Sequence, residues 1–210
     1  MLNLITWNVR GAAAKGFPLL IKDLVYRHRV SCVALFETRV SGSRAKAIVK
    51  SLGFDQSFIV EAEGFAGGIW ILWKGHEVQV EVLRAHRQFV HASITPFGCS
   101  NSFLATFVSG SPNSSIRNVL WSSLVELQER ISPPWIVLGD FNAYLGADEK
   151  YGGAGANTYS MRCFRECLER CQLSDMGFKG PPFTWTWRGI KERLDRAVCV
   201  EEWGRLDECF

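Results

Sequence analysis

The sequence predicts an α+β protein built as a four-layer α/β/β/α sandwich, with two mostly antiparallel sheets face to face and helices outside. Three observations lead there. Helical and strand-like segments are mixed without strict β-α-β alternation, and no GxGxxG follows a strand, which disfavours a doubly wound parallel sheet. The middle of the chain is a long series of strand signals that looks antiparallel. Several strands are apolar on nearly both faces, so each face needs its own cover.

In chain order, "LNLITWNVRG" (2–11) reads as a strand, and its apolar content predicts a central rather than an edge position. Phe17, Leu20, Ile21, Leu24, Val25 and His28 follow at helical spacing. "VSCVALFET" (30–38) is a buried strand, and Ser43 to Leu52, stopped by Gly53, is a short helix. Strand signals continue in "SFIVEA", "GGIWILWK", "VQVEVL", "FVHASIT" and "FLATFV". Ile116, Leu120, Leu124, Leu127 and Ile131 mark a third helix, closed by Pro133 and Pro134. "WIVLG" is a strand, Gly146 to Thr158 reads as a mobile Gly/Ala-rich loop, and Cys163 to Cys171 is a fourth helix. "FTWTW" and "RLDRAVC" close the chain as strands.

A length of 210 residues with 47% hydrophobic content implies one domain, residues 1–210, with a sizeable core. The 24 basic and 21 acidic residues leave a net charge of +3, which permits a polyanionic partner without demanding one. The seven cysteines lack zinc-finger spacing and suggest a reduced, intracellular protein. Cys163, Cys167 and Cys171 share one helix face and read as small buried hydrophobes. No apolar run approaches the ~20 residues that a membrane helix needs, so no membrane partner is expected. The four histidines, at 28, 76, 86 and 91, fit a helix face, a turn and strands, and read as structural.

Polar residues collect where apolar runs stop. Asn8 ends the first, Glu37 the second, Asp140 with Asn142 a later one, and Asp195 sits in the last. Each has a plain structural reading: Asn8 as a turn cap, Glu37 paired with Arg39, Asp140 and Asn142 as an Asx turn, Asp195 bridged to Arg193 or Arg196. Strands of one sandwich bring their ends to a common rim, however, and carboxylates gathered there repel unless a hard cation joins them. Oxygen donors without His or Cys suit Mg²⁺ or Mn²⁺ rather than zinc. In an extended chain Asp140 and Asn142, two apart, would share one face.

"ITWNVRG", "LFET", "GDFNA", "FTW" and "RLDR" occur in the order and spacing of the endonuclease/exonuclease/phosphatase superfamily, which the chain resembles over nearly its whole length. "WNVRG", "GGIWILW", "SPN" followed by a helix with "LW", and "FTWTW" before "RLDR" are similar to the endonuclease domain of plant LINE-type non-LTR retrotransposons. The resemblance implies metal-dependent nicking of DNA. Glu37 would hold Mg²⁺, with Asn8 beside it. Asp140 would orient or deprotonate the attacking water, and Asn142 would stabilise the developing charge on phosphorus. Asp195 matches an aspartate near the phosphate, Thr184 a residue of the DNA-facing wall and Asn113 a substrate loop. Ser109 stands where the family has a phosphate-holding tyrosine. The family's closing Ser-Asp-His motif does not appear before Phe210, so the resemblance implies a C-terminally truncated domain, a nuclease weakened or inactive for that reason. Two alternatives stay open: a phosphatase of the same superfamily, or a catalytically dead remnant that binds metal or DNA. The nucleus is the expected address and a monomer the expected state.

Overall fold

A computed structural model describes residues 2–130 and 134–205. The first sheet has four strands: β1 (Leu4–Asn8), β2 (Cys32–Phe36), β3 (Gln56–Val60) and β4 (Ile69–Trp73), in the order β1-β2-β4-β3. The second has six. Its members are β5 (Val78–His86), β6 (Phe89–Pro96), β7 (Phe103–Ser109), β8 (Trp135–Asp140), β10 (Ser174–Asp175) and β13 (Asp195–Cys199), in the order β10-β13-β8-β7-β6-β5. A small third sheet joins β9 (Lys150–Tyr151), β11 (Trp185–Trp187) and β12 (Ile190–Glu192). The β1/β2 and β7/β8 pairs are parallel and every other named pair is antiparallel.

The period-2 alternation of the strands builds the layers. Cys32, Ala34 and Phe36 point inward and meet Val90, Ile94, Phe103, Phe107 and Ile136 of the second sheet. Val33 and Leu35, the alternate residues of β2, point outward with Trp70 and Leu72. They are covered by Phe17 and Ile21 of α1 (Phe17–His28) and by Ala45 and Val49 of α2 (Gly42–Ser51). On the far side, Val108, Trp135, Val137 and Val198 pack beneath α3 (Ser114–Gln128) and α4 (Thr158–Arg170). Strands apolar on both faces are therefore the interior pair of four layers. Burying one such side chain stabilises by about 1.5–3 kcal/mol, so a strand buried on both faces is held strongly.

Three expectations need correction. β1 is not central: among the described residues it lies at the end of the first sheet and is half-buried throughout. Its apolar residues are covered from above and below, by the second sheet and by α1, which sequence alone does not distinguish from strands on either side. Gly146–Thr158 is not simply loose, because it contains a 3-10 turn (Ala147–Glu149) and β9, and Glu149 anchors it in a buried ionic network. α4 starts at Thr158, five residues before Cys163, because Asn157 caps it by accepting a hydrogen bond from Ser160 N–H at 3.0 Å. Cys167 and Cys171 are buried as expected. Ile131 and Pro133 lie outside the described residues, and α3 ends at Gln128. No helix among the described residues is long and apolar enough to cross a membrane.

Candidate active site

The C-terminal ends of β1, β2 and β8 meet the start of β13 on one rim of the sandwich. The Asn8 amide nitrogen of the first sheet donates to Asp140 Oδ2 of the second at 2.8 Å, which ties the two sheets together. Asp140 stands directly opposite Asp195 in the antiparallel β8/β13 register and opposite Ser109 in the parallel β7/β8 register. Glu37 follows β2 immediately, and its charge reaches Asp140. Of the predicted residues, Asn8, Asp140, Thr184 and Asp195 line a cleft of about 450 Å³, together with Arg10 and Trp185. Glu37 and Ser109 line a neighbouring cleft of about 350 Å³, and Asn142 a third of about 290 Å³.

The local sequence makes this arrangement possible. Gly139 has φ +137°, and a Cβ there would collide with the Val108 carbonyl oxygen and sit 2.9 Å from the Phe36 ring. Only glycine lets β8 lie so close to its neighbour β7 and to Phe36 of the facing sheet just before Asp140. Gly110 plays a similar part after Ser109, where a Cβ would fall 2.5 Å from the Phe141 carbonyl oxygen. Arg10, Glu37, Arg39 and Asn142 all adopt positive φ, between 47° and 55°. Non-glycine residues held there cost on the order of 1 kcal/mol each and cluster where geometry serves a site.

The Asx-turn reading of the Asp140–Asn142 pair holds. Asp140 Oδ1 accepts from Asn142 N–H at 2.9 Å, an Asx turn, while Oδ2 takes the Asn8 amide. The expectation of a shared face does not hold. Asn142 is left-handed rather than extended, and its amide turns away to donate to the Gly110 carbonyl at 2.7 Å. One amide N–H of Asn142 remains for another acceptor.

Desolvation dominates the electrostatics. Asp140 is 4% exposed. Burial raises its pKa, opposed by the hydrogen bonds from Asn8 and Asn142 and by the charge of Arg10, and reinforced by Glu37; the outcome is a rise. Burial and then the charge of Asp140 push Asp195 to about 6, against the hydroxyl of Thr184 and the charges of Arg10 and Arg196. Thr184 also positions β13, since its oxygen accepts from the N–H groups of Leu194 and Asp195 at 3.0 and 3.1 Å. Asp195 has no bridge to its sequence neighbours: Arg193 and Arg196 pair with Glu149 and Asp175 instead. Glu37 does pair with Arg39, at 3.2 Å on a partly exposed surface. Asn113 is a helix cap, its side-chain oxygen accepting from Ser115 and Ile116 N–H. It lines none of the three clefts.

Among the described residues no cluster of three or more His, Cys, Asp or Glu could cage a metal. The donor set fits a hard cation that keeps most of its water. Glu37 offers one accessible carboxylate, Asn8 an amide oxygen that already accepts from Arg10 N–H at 3.2 Å, and Asp140 a nearby second charge. One or two protein oxygens plus water and substrate phosphate is the usual Mg²⁺ arrangement.

Sequence reasoning missed Arg10 as a wall of the cleft; for Trp185 it weighs stacking near Thr184 but favours packing, and the structure places the residue in the cleft wall beside Thr184. The guanidinium of Arg10 lies 5.7 Å from the Trp185 ring centroid, a contact between residues 175 positions apart in the chain, and only the location of Arg10 two residues after Asn8 could have signalled it.

A model of the Endonuclease/Exonuclease/phosphatase family matches residues 5–208. No curated protein matches the sequence. Among solved structures, the chain is similar to the AP endonuclease LMAP from Leishmania major, with TM-score 0.74, 17% identity, and 95% of this chain and 79% of that one covered. It is similar to the endonuclease domain of TRAS1, a telomere-specific non-LTR retrotransposon, with TM-score 0.72, 14% identity and coverage of 96% and 85%. A variant of the 3′ phosphatase NExo from Neisseria, bound to a product DNA hairpin, aligns with TM-score 0.68, 17% identity and coverage of 94% and 86%. At these identities the likeness establishes the fold.

Proposed function

The chain belongs to the Endonuclease/Exonuclease/phosphatase family, and on that premise we propose that it hydrolyses phosphodiester bonds of DNA with a divalent cation, Mg²⁺ or Mn²⁺. The observation that carries this reading is the rim itself: Asn8 hydrogen-bonded to Asp140, and Asp195 across from it, both carboxylates desolvated and open to one cleft.

Glu37, assisted by Asn8, would hold the cation, which when bound polarises a phosphate oxygen and offsets negative charge on the leaving 3′ oxygen. Asp140 accepts the proton of the attacking water. Its two oxygens are fixed by Asn142 N–H and the Asn8 amide, so the carboxylate cannot rotate, and each keeps a lone pair for that water. Burial makes Asp140 a stronger base than an exposed aspartate. Asn142 has one amide N–H bonded to Gly110, which fixes the side chain, and its second N–H would serve a phosphate oxygen that reaches the adjoining cleft it lines. Thr184 and Asp195 hold the opposite wall of the cleft. Ser109, buried opposite Asp140, presents a hydroxyl beside the phosphate path. All of these groups come from one chain, so a monomer suffices. DNA as substrate agrees with nuclear action.

The test is nicking of supercoiled plasmid with Mg²⁺, wild type against Asp140→Ala. The expected result is relaxed circles from the wild type and a loss of about 10²–10⁴ in rate for the variant. Nicking that survives the substitution undiminished overturns the site. Release of phosphate from inositol polyphosphates without nicking would move the reading to a headgroup phosphatase.

A further inference from the structure

Three arginines line the clefts around Asp140, and two are already engaged. Arg87, in the Glu37 cleft, has a guanidinium nitrogen 3.8 Å from Glu63. Arg117, in the Asn142 cleft, is 5% exposed and pinned to the carbonyls of Ser111 and Pro112 at 2.6 and 3.1 Å and to the Ser160 hydroxyl at 2.7 Å. Arg10 differs. Among the described residues its guanidinium has no carboxylate within 4.0 Å, yet it lines the cleft that holds Asp140 and Asp195. We infer that Arg10 is a phosphate-contacting residue of this cleft, which clamps a backbone phosphate of the nucleic acid substrate; the inference rests on the function proposed above.

The backbone of Arg10 is held in place. It is left-handed, with φ 50°, and its N–H donates to Asn8 Oδ1 at 3.2 Å. The following chain is tied to the rim of the first sheet by Ala12 N–H to the Thr38 carbonyl at 2.9 Å. The side chain lies over the Trp185 ring at 5.7 Å, a cation–π contact that restricts the guanidinium to the cleft while leaving it exposed to ligand. A guanidinium oriented in this way offers two parallel N–H donors, the geometry that grips a phosphate bidentately, and loses little freedom on binding. Electrostatics also require a cation here. A phosphodiester entering a cleft walled by Asp140 and Asp195 meets two carboxylates, and the charge of Arg10 already acts favourably on both. Trp185 adds an apolar face on which a sugar or base edge can rest beside the clamped phosphate.

The experiment compares wild type, Arg10→Ala, Arg10→Lys and Trp185→Ala, each checked for an unchanged melting temperature. KM and kcat for nicking, and the salt dependence of binding to a fluorescein-labelled duplex, are measured with Mg²⁺. Removing one phosphate contact should raise KM about ten- to a hundredfold and lower the slope of log K against log[salt] by about 0.9, while kcat changes less. Arg10→Lys should restore the slope but only part of KM, because an ammonium lacks the bidentate fork. Trp185→Ala should keep the slope and raise KM. A wild-type slope in Arg10→Ala overturns the inference while leaving the nuclease intact. A wild type that neither binds nor nicks DNA overturns the functional reading, and the inference with it.

Discussion

Asp195 and Arg196 are neighbours on β13, and they belong to opposite kinds of charge cluster. Alternation sends Asp195 to the cleft, where it faces Asp140 with Glu37 near by. Arg196, with a side chain 0% exposed, points the other way into a network with Arg193, Glu149 and Asp175. The carboxylates of the network are paired: two arginines meet them in four contacts of 2.6–2.9 Å, and only the Arg196 Nε is left buried without a hydrogen-bond partner among the described residues of this network. Burial raises the pKa of Glu149 and Asp175, but the hydrogen bonds and charge they receive outweigh it, and both end below their ordinary values. In the cleft the balance runs the other way, and Asp140 and Asp195 end above theirs. Carboxylates withdrawn from water are stabilising when their partners are built in. They are destabilising, and chemically available, when the partner is left to come from outside.

The largest expected effect breaks the completed cluster. Arg196→Met leaves Glu149 and Asp175 with one arginine between them, and removing one partner of a buried ionic set costs about 3–5 kcal/mol. Thermal unfolding should show a fall of roughly 10 °C. A variant as stable as wild type would mean that the network is as dispensable as a surface pair. Because Glu149 and Asp175 have lowered pKa values, this contribution is present at neutral pH and lost as pH falls below the ordinary carboxylate range.

The opposite experiment relieves the incomplete cluster. Asp195 is raised to about 6 in the folded protein, so above that pH its ionised form penalises folding, and the penalty fades toward the unfolded value near 3.8. Asp195→Asn should therefore stabilise the fold by about 1–2 kcal/mol at pH 7–8, with no gain below about pH 4. Nicking should fall at the same time, the usual trade between stability and a site kept unsatisfied. Unfolding curves measured from pH 4 to 8 check the divergence; parallel curves would remove the contrast between the two clusters.

The two clusters also differed in how readable they were. Asn8, Glu37, Asp140 and Asp195 stand out because a polar residue closes or interrupts an apolar run, a local pattern that burial makes costly. Strands sharing a rim imply their convergence, and the structure brings Asn8, Asp140 and Asp195 into one cleft with Glu37 in the adjoining one. The network left no such trace. Glu149 lies in a stretch whose Gly and Ala content reads as loose chain, and its partners are 44 and 47 residues away. Arg193, just before β13, and Arg196, on it, look like simple partners for the aspartate between them, yet both reach Glu149 and Asp175 instead, residues that nothing in the local sequence connects to them. β9 and β12, of two and three residues, are too short for any periodicity to register. The edge position of β1 was hidden because apolar content records burial, and packing of the two faces buries a strand as well as neighbours do.

The smallest predicted effect falls on Asn113, which belongs to the loop that the resemblance assigns to substrate but behaves like a member of the completed cluster. Its side-chain oxygen takes Ser115 and Ile116 N–H at 2.9 and 3.3 Å, closing the start of α3. If capping is its role, Asn113→Asp should keep the melting temperature, since a carboxylate caps as well and suits the helix N-terminus, while Asn113→Ala should lose about 1 kcal/mol. Nicking should track stability in both. If the side chain contacts the phosphate instead, the ranking reverses: the aspartate, isosteric but repelling the substrate, would be the more damaging change to KM while leaving unfolding untouched. Measuring both properties on the two variants decides whether Asn113 shares the character of Glu149, satisfied within the fold, or of Asp195, held open for a ligand.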